Sequence, residues 1–148
     1  MSAIILLDSG PLSLLSMPHK PPLAVACQQW FEKLAGQGTE FAVPEITDYE
    51  LRRELLRAGK SNGIAELESL IKRTTYLPIS TQAMRQAAMF WAQARQQGQP
   101  TAGDKNLDAD MILCAQAMTL GTPDFIVATT NLRHLRRFVP AALWQNIS

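Results

Sequence analysis

Ala3-Ile4-Ile5-Leu6-Leu7, closed by Asp8-Ser9-Gly10-Pro11, is the stretch that decides the fold. An apolar run with no polar alternation belongs to a strand covered on both faces, and such strands occur in parallel sheets packed between helical layers. The charge and the Gly-Pro pair stop the strand and leave Asp8 at its carboxyl end. Downstream, Leu12 to Leu15 fit a helical turn, Met17 to Pro22 a proline-rich loop, and Leu23 to Leu34 a helix ended by Gly36 and Gly38. Phe41-Ala42-Val43 predicts a second strand, followed by helices over Ile46 to Ala58 and Gly63 to Arg73. Thr75 to Ile79 reads as a third strand near an edge, because Pro78 cannot donate to a ladder. Ser80 or Thr81 caps a long helix to about Gln97, and Gly98 to Lys105 is loop. Asp108 starts an apolar helix through Leu120, and Asp124 to Thr129 is a fourth buried strand. A short helix over Asn131 to Arg137 and an edge strand over Leu143 to Ile147 complete the chain.

Strands alternating with helices imply right-handed crossovers. The expected architecture is therefore a three-layer α/β/α sandwich around a mostly parallel sheet of four to five strands. The 148 residues suit one domain over 1–148. With 47% hydrophobic and 18% charged residues the chain is a core-former and not a disordered polymer. No apolar run has membrane-spanning length, and the opening run lacks a basic n-region and is broken by Asp8, so a cytoplasmic protein is expected. Cys27 and Cys114 stand far apart among apolar neighbours, as reduced buried thiols do. The net charge of +1 gives no overall field for nucleic acid, so any such binding must be local. None of the eight glycines forms a dinucleotide or Walker-type loop.

Ligands of open parallel sheets bind beyond the carboxyl ends of the strands. Asp8 ends the first strand there and Thr129-Thr130-Asn131 ends the fourth. Asp8 is either a ligand-binding carboxylate or the cap of the turn that follows. Asp110 heads an apolar stripe of Leu113, Cys114, Ala117 and Gly121, so it faces inward in the first helical turn, where the macrodipole favours an anion. Asp108 reads as that helix's N-cap. Positions two apart on a helix point about 200° apart, so Asp108 joins Asp110 only if it precedes the helix. Glu50 shares a helix with Glu45, Asp48 and Glu54, and periodicity does not rank it above them; its spacing to Arg53 equally fits an ordinary surface pair. Asp104 lies in a polar loop. Carboxylates at strand ends and helix starts, without a histidine or cysteine cluster, select hard cations such as Mg²⁺ or Mn²⁺, which suit phosphodiester chemistry. Arg133, Arg136 and Arg137 follow Asp124, the last acid of the chain, and form a candidate phosphate clamp. Arg52, Arg53, Arg57 and Lys60 form a second basic group partly neutralised by Glu50 and Glu54.

Four motifs in this order, Ile5 to Ser9, Pro44 to Arg53, Leu107 to Ala115 and Thr129 to His134, resemble a PIN domain, specifically the ribonuclease toxin of VapC type from toxin–antitoxin pairs. The resemblance spans nearly the whole chain. It implies a metal-dependent endoribonuclease acting on RNA, with Asp8, Glu50 and Asp110 in the principal acidic positions as Mg²⁺ or Mn²⁺ ligands. It further implies supporting roles for Ser9, Thr130, Asn131, Arg133 and Arg136, a cognate antitoxin whose C-terminal segment blocks the cleft, and a homodimer. His134 stands where many relatives carry a fourth acid, so Asp108 supplies the missing carboxylate, or three acids suffice, or activity is reduced. Trp30, Phe31, Phe90, Trp91 and Trp144 are candidates for interfaces or, for most of them, the core. The competing readings are a catalytically weakened module that binds RNA or protein, and a phosphotransfer receiver domain. The receiver fits poorly, since there is no acidic pair at the first strand and no lysine after Lys105.

Overall fold

The structure, a computed structural model, describes residues 3–97, 107–132 and 134–148. Five strands, β1 (Ile4–Leu7), β2 (Phe41–Pro44), β3 (Thr75–Leu77), β4 (Phe125–Thr129) and β5 (Ala141–Leu143), form one sheet in the order β3-β2-β1-β4-β5. Every pairing is parallel, with Ile5 beside Phe41 and Ile126, and Val127 beside Ala141. The apolar opening run is thus the central strand, and Leu6 and Leu7 are fully buried. Each such leucine contributes about 1.5–3 kcal/mol through removal from water.

The α-helices are α1 (Ser9–Leu15), α2 (Pro22–Gly36), α3 (Glu45–Arg57), α4 (Ser61–Lys72), α5 (Thr81–Gln96) and α6 (Leu107–Met118). Side chains alternate across β1, so Leu6 joins a core with α5 and α6 while Ile5 and Leu7 join another with α1, α2 and α4. Helix α3 closes the gap between these layers: Ile46 belongs to the first core and Leu51 to the second. The three-layer α/β/α sandwich expected from the alternation is present.

Three expectations need correction. The third strand ends at Leu77, before Pro78. The stretch after Asn131 gives only a 3-10 turn, Leu135–Arg137. The last strand is Ala141–Leu143, followed by a 3-10 turn at Trp144–Asn146, because Val127 N–H bonds Pro140 C=O and pulls residues 141–143 into register with β4. The loop expected over Gly98 to Lys105 lies outside the described residues. Phe31, Phe90 and Trp144 are core residues, whereas Trp91 is 39% exposed. Trp30 donates to the Ile147 carbonyl at 2.8 Å, tying the chain's end to α2. Both cysteines are free and buried, and desolvation pushes Cys27 up to about 12. Among the described residues no helix is long and apolar enough to cross a membrane.

Candidate active site

Asp8 leaves β1 in extended conformation and caps α1, with Oδ1 accepting from Ser9 N–H at 2.8 Å. Its Oδ2 accepts from the Thr129 hydroxyl at 2.7 Å, and that hydroxyl accepts from Asn131 N–H at 3.1 Å. The capping reading of Asp8 holds: the carboxylate caps the turn and is 2% exposed at the end of the central strand. Thr129 grips it, one place before the expected pair Thr130 and Asn131. Thr130 is exposed and packs on Gly10, where an added Cβ would overlap the Thr130 hydroxyl and lie 2.6 Å from its Cγ2. A glycine in the first turn of a helix disfavours the helix, which is the sequence signal that backbone must approach something closely there.

Asp110 is 1% exposed in the first turn of α6. One turn on, burial pushes the Cys114 thiol far up, and the negative charges of Asp110 and Asp8 reinforce that push. The charges of both aspartates thus act on one buried thiol. Asp108 goes elsewhere. Since α6 begins at Leu107, Asp108 is inside the helix and not its N-cap. It is exposed and lines a groove of about 450 Å³ with Met84, Ala87, Ala88, Trp91 and Met111. The condition for Asp108 to join Asp110 is not met.

Glu50 is half-buried on α3. Periodicity could not separate it from its neighbours, but the structure gives the other three acids roles in the fold. Glu45 accepts from Ile79 N–H at 2.8 Å, Asp48 pairs with Arg52 and the Tyr76 hydroxyl, and exposed Glu54 pairs with Arg57. Arg53 lies over the Tyr49 ring. Among the described residues no three His, Cys, Asp or Glu side chains form a metal-ligand group; Asp8 and Asp110 are two carboxylates whose charges act on Cys114, and Glu50 lies on α3. Mg²⁺ keeps several waters and takes one or two carboxylates from a protein, so this oxygen pair fits its donor preference.

At the basic end, Arg133 lies outside the described residues. Arg136 is exposed, its Nε making a long 3.4 Å bond to the Ala141 carbonyl. Arg137 bonds Gln97 and stacks on Phe138, which engages one of the three expected clamp cations in packing. Sequence reasoning also missed Gln116, fully buried on α6, which bonds both Ile46 and Leu77.

No family model and no curated protein sequence matches the chain. Solved structures do. The chain is similar to one in VapBC2 from Rickettsia felis bound to a promoter DNA fragment, at TM-score 0.73 and 16% identity over 95% of this chain and 98% of the other. It is similar to one in FitAcB from Neisseria gonorrhoeae, at TM-score 0.67 and 22% identity over 97% and 99%. A DNA-bound VapBC from Salmonella typhimurium gives TM-score 0.67 and 23% identity over 97% and 99%. End-to-end agreement of backbone path at such low identity, on a parallel sheet that carries acids at its carboxyl edge, makes this a chain of PIN-like fold.

Proposed function

We propose that the chain is a metal-dependent endoribonuclease acting as the toxin of a toxin–antitoxin pair. The carrying observation is that Asp8, at the end of β1, and Asp110, in the first turn of α6, are both buried and both act on the Cys114 thiol. Burial of two like charges is costly, and a divalent cation held by both would offset it. Asp8 and Asp110 hold Mg²⁺ or Mn²⁺ in this reading, with Glu50 serving from α3. When bound, the ion supplies an activated water and neutralises the leaving oxygen of a phosphodiester. The chain's own contribution is orientation: Ser9 N–H and the Thr129 hydroxyl fix both oxygens of Asp8, and Gly10 lets the Thr130 turn close against α1. Arg136, with Arg133, supplies positive charge for the RNA backbone. The likeness to chains of structures named VapBC supports an antitoxin partner. A homodimer and a cytoplasmic setting complete the proposal.

Purified protein free of antitoxin should cut RNA with Mg²⁺ or Mn²⁺, lose activity in EDTA, and bind Mn²⁺ saturably by calorimetry. Asp8→Asn and Asp110→Asn should remove both signals. Cleavage surviving these substitutions sinks the site; RNA binding without metal heat or cleavage leaves the weakened binding module as the answer.

A further inference from the structure

Helix α3 begins directly after Pro44, whose side chain offers no cap for the free amides of the first turn. The Ile46 N–H is nevertheless satisfied, by Gln116 Oε1 of α6 at 3.1 Å. The other end of the same amide donates to the Leu77 carbonyl at 2.7 Å, where β3 ends. Gln116 is 0% exposed, and its bond to Ile46 N–H joins two buried groups, so losing it leaves a buried amide without its partner, while the bond to the half-buried Leu77 carbonyl anchors the other end. A side chain of α6 thus caps α3 across the core. Asp110 stands in the first turn of α6, and Glu50 lies on α3 one turn beyond the capped amide.

We propose that Gln116 is a positioning residue for the acidic site: by capping α3 from α6 it sets where Glu50 stands relative to Asp110. The inference rests on the nuclease reading above. Glu45, whose carboxylate accepts from Ile79 N–H, keeps the start of α3 attached to the β3 side when Gln116 is changed, so removal of the amide shifts the helix without releasing it.

The test compares wild type with Gln116→Met, similar in length without the polar ends, and with Leu67→Val, a cavity in the opposite core layer. Gln116→Glu keeps an acceptor for Ile46 N–H and serves if the methionine variant does not fold. Hydrogen exchange should become about tenfold faster over residues 45–50 in Gln116→Met and stay unchanged there in Leu67→Val. Mn²⁺ affinity by calorimetry and kcat on RNA should each fall about tenfold or more in Gln116→Met, with KM little changed, as for other groups that orient metal ligands. Gln116→Glu should retain more of both protection and affinity. Wild-type metal affinity and kcat in Gln116→Met overturn the inference, as does a loss that Leu67→Val reproduces at equal thermal stability. A wild type that neither binds Mn²⁺ nor cuts RNA overturns the nuclease reading and this inference with it; the exchange arm still shows whether the tether exists, which separates that failure from a failure of Gln116 alone.

Discussion

Two buried aspartates show how differently one chain uses a carboxylate. Asp48 on α3 meets the Arg52 guanidinium at 3.0 Å and the Tyr76 hydroxyl of β3 at 2.7 Å, and Arg52 reaches on to Glu68 of α4. That arrangement joins three elements and balances charge against charge. Asp8 instead accepts from a backbone amide and a threonine hydroxyl, which orient its oxygens, and its charge and that of Asp110 both act on the Cys114 thiol. Both acids are buried, yet the Asp48 contacts join elements of the fold while the Ser9 and Thr129 contacts fix the oxygens of Asp8 at the end of a strand.

The most decisive way to break this contrast is to neutralise each acid in turn. Asp8→Asn should lower RNA cleavage by about a hundredfold or more while the protein stays folded. Asp48→Asn should leave cleavage per folded molecule unchanged and cost about 1–3 kcal/mol in chemical denaturation, less than breaking a fully buried pair because Arg52 is partly solvated. If the two outcomes exchange places, the assignment of roles is wrong. Gly10→Ala attacks the Asp8 region through sterics: its new methyl must displace Thr130, costing about 1–3 kcal/mol by thermal melting and disturbing the turn that carries Thr129. Thr129→Val removes the hydroxyl that grips Asp8 and should cost about 1.5–3 kcal/mol in stability and weaken Mn²⁺ binding, whereas Thr130→Val, at an exposed side chain, should leave both nearly unchanged.

The smallest effect belongs to the Asp48 region. Burial, then the hydrogen bond and charge of Asp48, push the Tyr76 phenol well above its ordinary value. A proton held more tightly in the folded than in the unfolded chain adds stability that is complete below about pH 10 and is lost as pH rises beyond it. Denaturant titrations from pH 8 to 11 should therefore show wild type losing stability above pH 10 more steeply than Tyr76→Phe. Identical curves would mean that the phenol does not sense Asp48.

Local patterns carried much of this molecule. The unbroken apolar run before Asp8 specified a doubly covered central strand, and the stripe from Asp110 through Cys114 turned that acid inward, because both patterns are fixed by the two-residue and 3.6-residue periods of the backbone. The end of the chain was harder to read, since the short strand at Ala141–Leu143 exists through pairing with β4 and not through its own apolar period. Glu50 could not be separated from Glu45, Asp48 and Glu54 along the helix, because the Ile79 amide and the Tyr76 hydroxyl that engage Glu45 and Asp48 come from outside it, where no helical period reaches. The sequence by itself determined the layers, the parallel sheet and which edge bears the acids, as these follow from hydrophobic period and chain order. Only the tertiary structure decided that Asp108 turns away, that Thr129 holds Asp8 and that Gln116 caps a helix from across the core, since each depends on a contact between residues distant along the chain, and no local period encodes such a contact.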